Sequence, residues 1–293
     1  MRFVLDDDQR DFAAALESLL TASDPVAAAR AWAEGDHERG LALWRRLADL
    51  GVTSLATDAS PVEVVIAFEA LGRHAVPGPW VESAAYLPVA LGTEVEGIAT
   101  LALPPHVPYA LDADVADVVY AGTTEASVVG DVLTSVDRTR RLFEVSGTGE
   151  THPEAFDLAV LAVSAQLLGA GERVLADSVT YVKQRRQFGR EIGSYQAIKH
   201  ALADVRIALD FARPLVLGAA LGEVPASAAK VACGDAAYLA SRTGLQVHGA
   251  IGYTQEFDLS VWITKIRALV TAWGTPAYHR ARLLDGLLER TGS

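Results

Sequence analysis

Four cations stand close together in YVKQRRQFGRE: Lys183, Arg185, Arg186 and Arg190. A guanidinium is a planar, permanently charged fork, so this run suits the negative charge of a phosphorylated small ligand. Gln187 adds an amide beside it, and Phe188 a flat apolar face. Downstream, QVHGAIGYT sets Gln246, Val247, His248, Gly249 and Ala250 at a glycine-bearing break, where backbone can approach a ligand closely. Each piece also has a ligand-free reading. The first is then a solvated basic helix end favoured by the helix dipole, and the second a helix break with His248 exposed. SGTGE at 146–150 has the look of a phosphate loop but lacks the Lys-Ser/Thr ending, so it reads as a turn. Seven histidines and one cysteine show no paired ligand spacing, and no metal is expected.

The elements that must position these residues change character along the chain. Asp6 to Asp8 can cap a first helix with Phe12, Leu16, Leu19 and Leu20 on one face. A second helix, near 38–50, aligns Leu43, Leu47 and Leu50 and stops at Gly51. Ser60-Pro61-Val62-Glu63 has the form of a capping box and opens a third, which runs to about His74 before Pro77 and Pro79 end the pattern. From about Gly97 short β-branched runs (GIATLAL, ADVVYAG, ASVVGDVL, RLFEVSG) alternate with Pro, Gly and Asp, as in a small β domain. Helical periodicity returns near Pro153. Leu168, Leu175, Val179 and Val182 form one stripe, and Ile198, Leu202, Val205 and Leu209 another. An alanine-rich helix from about Pro225 allows close approach, and Thr275-Pro276 reads as N-cap and first turn of the last helix. The expected order is N-terminal helices (1–95), a small β domain (96–152) and an up-down four-helix bundle (153–293). Pro214 predicts a kink or break within the bundle.

Bulk properties limit the partners. The 293 residues carry a formal charge of −12, which argues against nucleic acid, since binding needs a basic face to displace counterions. No uninterrupted apolar run reaches the ~18 residues of a membrane span. The start, MRFVLDDDQRDF, lacks the basic-then-apolar order of a signal peptide. The single Cys233 excludes an internal disulfide and fits a reducing cytoplasm.

Three segments together, YVKQRRQFGREIGSYQAIKHALADV, QVHGAIGYT and TAWGTPAY, resemble the C-terminal helical domain of acyl-CoA dehydrogenases. The layout of helices, β domain and bundle is similar over most of the chain. The resemblance implies FAD as cofactor. Arg185, Gln187 and Phe188 would reach across a subunit interface to a neighbour's FAD, with Gln196 on the same cofactor. The loop Gln246, Val247, His248, Gly249 and Ala250 would lie at its adenosine side, with Ala250 in place of a second family glycine. The chemistry so implied is removal of an α-proton from an acyl-CoA by a glutamate while the β-hydride passes to flavin.

That glutamate stands immediately before the glycine of a Gly-Thr pair in the family, and here the position is Trp273. An alternative family position for the base, on the first bundle helix, falls near Ala159. Asp157, Glu256 and Asp258 are neighbouring acids off those positions. The Thr-Glu and Gly-Ser-Asp stretches and the tryptophan strand that pack on flavin in family β domains are missing between Gly97 and Thr151, and Ala277 replaces an expected polar residue. What remains serves a neighbour's FAD, and what is lost would serve the chain's own. The pattern is similar to the base-less subunit of the heteromeric, α2β2 dehydrogenases of bacterial steroid and cholesterol side-chain degradation. It implies a partner subunit carrying the catalytic Glu, an acyl-CoA substrate with a steroidal acyl group, and an electron-transfer flavoprotein as acceptor. Two other readings stand: a self-sufficient homo-oligomeric flavoenzyme with a relocated base at Glu256 or Asp258, and a flavin-free helical scaffold.

Overall fold

The computed structural model describes residues 4–187 and 189–291. Phe188 lies outside them. The N-terminal part is helical: α1 (Asp7–Thr21), α2 (Pro25–Ala33), α3 (Glu38–Asp49), α4 (Leu55–Asp58), α5 (Pro61–Arg73), a π-helical turn (Glu82–Tyr86) and α6 (Leu87–Leu91). Asp6 caps α1 reciprocally with Gln9, and Leu16 and Leu20 are buried as the periodicity requires. Ser60 caps α5 by accepting from Val62 N, while its hydroxyl donates to the Glu63 carboxylate. Trp44 and Trp80 stack with centroids 3.7 Å apart and close the core between α3 and the turn after α5.

Six short strands follow in two three-stranded sheets. β1 (Ala99–Ala102), β3 (Val118–Ala121) and β4 (Thr124–Glu125) form one, with β1 and β3 parallel. β2 (Ala110–Leu111), β6 (Leu142–Val145) and β5 (Val128–Leu133) form the other, antiparallel throughout. The four apolar runs of the sequence contain β1, β3, β5 and β6. β2 and β4 are two residues each, too short to leave a periodic signal.

The bundle is built on α7 (Pro153–Gln184), α8 (Gln196–Ala220) and α9 (Ala226–His248), with the hairpin β7 (Arg186–Gln187) and β8 (Arg190–Glu191) between α7 and α8. α10 (Leu259–Leu269) packs on α7 and α9 before α11 (Pro276–Thr291) completes the chain. The sequence reading placed the start of the last helix at Thr275-Pro276 and did not mark α10 as an element. The break between them holds Trp273 and Gly274, both at positive φ (+56° and +105°). α8 continues through Pro214 rather than breaking there. The flanking Ala212 and Val216 are buried, and Arg213 is ion-paired to Glu69 and Glu172, so tertiary contacts hold the helix where one backbone bond is missing. α7 is long and apolar enough to cross a membrane by composition, yet most of that stretch is buried as the central core helix. Gly169 is why α5 can lie against it: a Cβ there would sit 2.0 Å from Glu69 O. One contiguous apolar core joins α1–α6 with the bundle, and a smaller cluster of Ala110, Ala113 and Phe143 lies under the β sheet.

Candidate functional site

Two regions carry the residues singled out from the sequence. The first is one end of the bundle, where α7 ends, α8 begins and α9 ends. The Tyr181 and His248 rings stack at 4.2 Å and bring the last turns of α7 and α9 together. The Ile192 N–H donates to Arg185 O (2.8 Å), fixing the hairpin root. Arg185, Gln187, Gln196 and Gln246 are all exposed here, and their side chains make no hydrogen bond or ion pair among the described residues. Arg190 differs, since its guanidinium lies over the Tyr195 ring at 3.9 Å. Gly249 and Ala250 are exposed, and Gly249 takes φ +63° with open space around its Cα. Val247 and His248 turn inward. His248 is not the exposed residue that a simple helix break would carry, because Tyr181 and Phe257 cover its ring. Its Nδ1–H donates to Gly244 O (2.7 Å), its Nε2 is buried without a partner, and burial lowers its pKa.

The second region surrounds Trp273. A cavity of about 790 Å³ lies between the β1–β2 loop, the segment before β6 and the α10–α11 break. Trp273 is buried at its wall, against Tyr86 (5.1 Å) and Phe156 (5.9 Å). The Trp273 indole N–H donates to Glu82 Oε1 (3.3 Å). Its carbonyl accepts from the His279 Nε2–H (2.9 Å), and His279 Nδ1 lies 3.0 Å from Ser227 Oγ. Gly274 is required beside it, since a Cβ would meet His279 Nε2 at 2.6 Å. A non-glycine residue at φ +56° is strained, and these contacts hold it there. Glu82 is 1% exposed, and its Oε2 has no hydrogen-bond partner among the described residues. Desolvation raises its pKa, opposed first by the positive charge of Arg140. Sequence reasoning missed Glu82; its only signal is one acid inside the apolar run PWVESAAYLPVAL.

The acids considered as relocated bases lie elsewhere. Asp258 pairs with Arg30 (2.8 Å), and Asp157 with Arg282 (2.6 Å). Glu256 lines a separate cavity of about 400 Å³ between α2 and α10, near Arg30 and Arg138. None of the three lines the cavity beside Trp273. Ala159 is fully buried in α7.

Comparison with known proteins places this geometry in a family. Residues 151–288 match the profile described as "Acyl-CoA dehydrogenase, C-terminal domain". The chain is 30% identical over 302 residues to acyl-CoA dehydrogenase IpdE2 of Mycobacterium tuberculosis, covering 93% of this chain and 95% of that one. It belongs to the acyl-CoA dehydrogenase family. Among solved structures, the ChsE4-ChsE5 complex of Mycobacterium tuberculosis aligns with a TM-score of 0.79 at 21% identity, covering 99% of each chain. The Tcur3481-Tcur3483 steroid acyl-CoA dehydrogenase (G363A variant) aligns at 0.79 and 17% identity, covering 98% and 99%. A glutaryl-CoA dehydrogenase of Mycobacterium smegmatis in complex with FADH2 aligns at 0.80 and 15% identity, covering 97% and 95%. These likenesses show the fold.

FAD is the cofactor of this family of flavoproteins. The donor set at the bundle end fits it: a free guanidinium, three free amides and an open glycine backbone are suited to a pyrophosphate and its adenosine.

Proposed function

We propose that this chain is the base-less subunit of a two-chain, FAD-dependent acyl-CoA dehydrogenase, holding from outside the FAD of a partner that carries the catalytic Glu. The observation that carries this reading is the contrast at Trp273. The family's base position is filled by an indole sealed on Glu82, while Arg185, Gln187, Gln196 and Gln246 stay exposed with no side-chain hydrogen bond or ion pair among the described residues. Bound FAD supplies the hydride acceptor for α,β-dehydrogenation of the acyl-CoA. Arg185 would neutralise and orient its pyrophosphate, Gln187 and Gln196 would donate amide hydrogen bonds, and Phe188 would offer a flat face. At the loop, Gln246 and the backbone of Val247, His248, Gly249 and Ala250 would approach the adenosine. Trp273 has no basic atom and can hold no substrate proton.

The assembly is an α2β2 heterotetramer in the cytoplasm, delivering electrons to an electron-transfer flavoprotein, without nucleic acid or membrane. The ChsE4-ChsE5 and Tcur3481-Tcur3483 pairs support a two-chain arrangement, and the second, a steroid acyl-CoA dehydrogenase, supports a steroidal acyl-CoA as substrate. The test is native mass spectrometry of the tagged chain recovered from its host. One FAD per heterodimer with a second, larger or similar chain is the expected result. A homo-oligomer with one FAD per 31.0 kDa unit would overturn it.

A further inference from the structure

Beyond the cofactor that the bundle end would hold for a partner, the chain keeps a cavity of its own. At about 790 Å³ the space beside Trp273 is within the usual range of small-molecule sites, roughly 300–1,000 Å³. One wall is aromatic: Trp273, Tyr278, His106 and Tyr109 line it, with the His106 and Tyr278 rings 4.1 Å apart. Val107 and Leu142 continue the apolar surface.

The charge in this cavity has one sign. Arg138 and Arg141 are paired, to Glu34 and Asp114 respectively. Arg140 lies between them, half-buried at the cavity edge, and its guanidinium makes no hydrogen bond or ion pair among the described residues. The acids that feel its field, Glu82 and Asp112, are fully buried and pushed toward their neutral forms. Burial, and then the charge of Arg282, lower the pKa of His106. A second cation, Arg267, stands at the rim. A partly desolvated guanidinium without a counter-ion beside a flat apolar wall is complementary to one ligand class.

We propose that this cavity binds an amphipathic anion, a ring-bearing body lying on the Trp273–Tyr278 wall with its carboxylate or sulfonate on Arg140. With an indole in place of a carboxylate, the occupant is bound and not turned over, which makes this an effector or storage site. The proposal stands apart from the trans-FAD reading, and FAD content is measured in parallel so that the two can fail separately.

The experiment is a titration of the chain, as isolated from its host, with 1-anilinonaphthalene-8-sulfonate. One saturable site per chain is expected. Arg140→Gln should weaken it at least tenfold, Arg140→Lys should stay within a few-fold of wild type, and FAD content should be unchanged in both. Added salt should weaken wild-type binding, which keeps the test decisive if Arg140→Gln folds poorly. Binding indifferent to both Arg140 and salt, or at several sites per chain, overturns the proposal. Displacement of the dye by equimolar FAD also overturns it, because the cavity would then be a flavin site.

Discussion

The bundle end and the wall around Trp273 differ in how their polar groups are satisfied. At the bundle end the exposed side chains of Arg185, Gln187, Gln196 and Gln246 make no hydrogen bond or ion pair among the described residues, with capacity left for a ligand. Around Trp273 the groups bind each other: indole to Glu82, carbonyl to His279, His279 to Ser227. With the indole, its carbonyl and His279 committed to each other, this wall offers no base to a reacting substrate. Under the proposed function, the uncommitted set at the bundle end is completed by a partner's FAD.

Opening the sealed region should have the largest effect. Trp273→Ala removes a fully buried ring and leaves Glu82 without its donor, so a loss of about 3–5 kcal/mol is expected. Denaturant unfolding checks it, as a lower midpoint at unchanged slope; a change under about 1 kcal/mol would mean that the contacts around Trp273 are not structural.

At the open end the fold should be indifferent and the ligand should not. Arg185→Ala deletes an exposed side chain that makes no hydrogen bond or ion pair among the described residues. The melting temperature should stay constant while FAD affinity of the complex falls about 10- to 100-fold, as for loss of a charge-assisted hydrogen bond. Full flavin absorbance after gel filtration would refute the trans contact.

The sealed side should also reveal itself through pH. Asp112 accepts from Trp32 Nε1 (3.2 Å) and Arg141 N (3.1 Å), and burial pushes its pKa up to about 7 from an ordinary 3.8. The folded state therefore holds this proton where the unfolded chain has released it. Its stabilising share is complete below pH 3.8 and is lost as pH rises toward 7. Asp112→Asn removes the titration, so the stability of the variant relative to wild type should climb across that window. A flat difference between pH 4 and 7 would place a charged carboxylate there.

The smallest effect belongs to Asp258. It is exposed and bound to Arg30, so Asp258→Asn should change stability by no more than about 1 kcal/mol. Activity of the assembled complex should stay within about twofold. A hundredfold loss would revive Asp258 as a base.

The order of elements was legible because helix and strand periodicities differ and caps such as Asp6, Ser60 and Thr275 mark boundaries. The exposed basic run at Arg185 and the break at Gly249 were legible too, since both are local features. The inward turn of His248 was not, because it depends on Tyr181 sixty-seven positions away. Nor was Glu82, whose indole partner is 191 positions distant. By itself the sequence determined that the base position holds an indole and that the bundle opens on a helix with Leu168, Leu175, Val179 and Val182 in one stripe. Only the tertiary structure decided that this indole seals on a buried acid, that α8 runs on through Pro214, and that Arg138 and Arg141 are ion-paired while Arg140 has no such partner among the described residues. Composition and period are properties of neighbours along the chain. Burial and pairing belong to residues that only folding brings together.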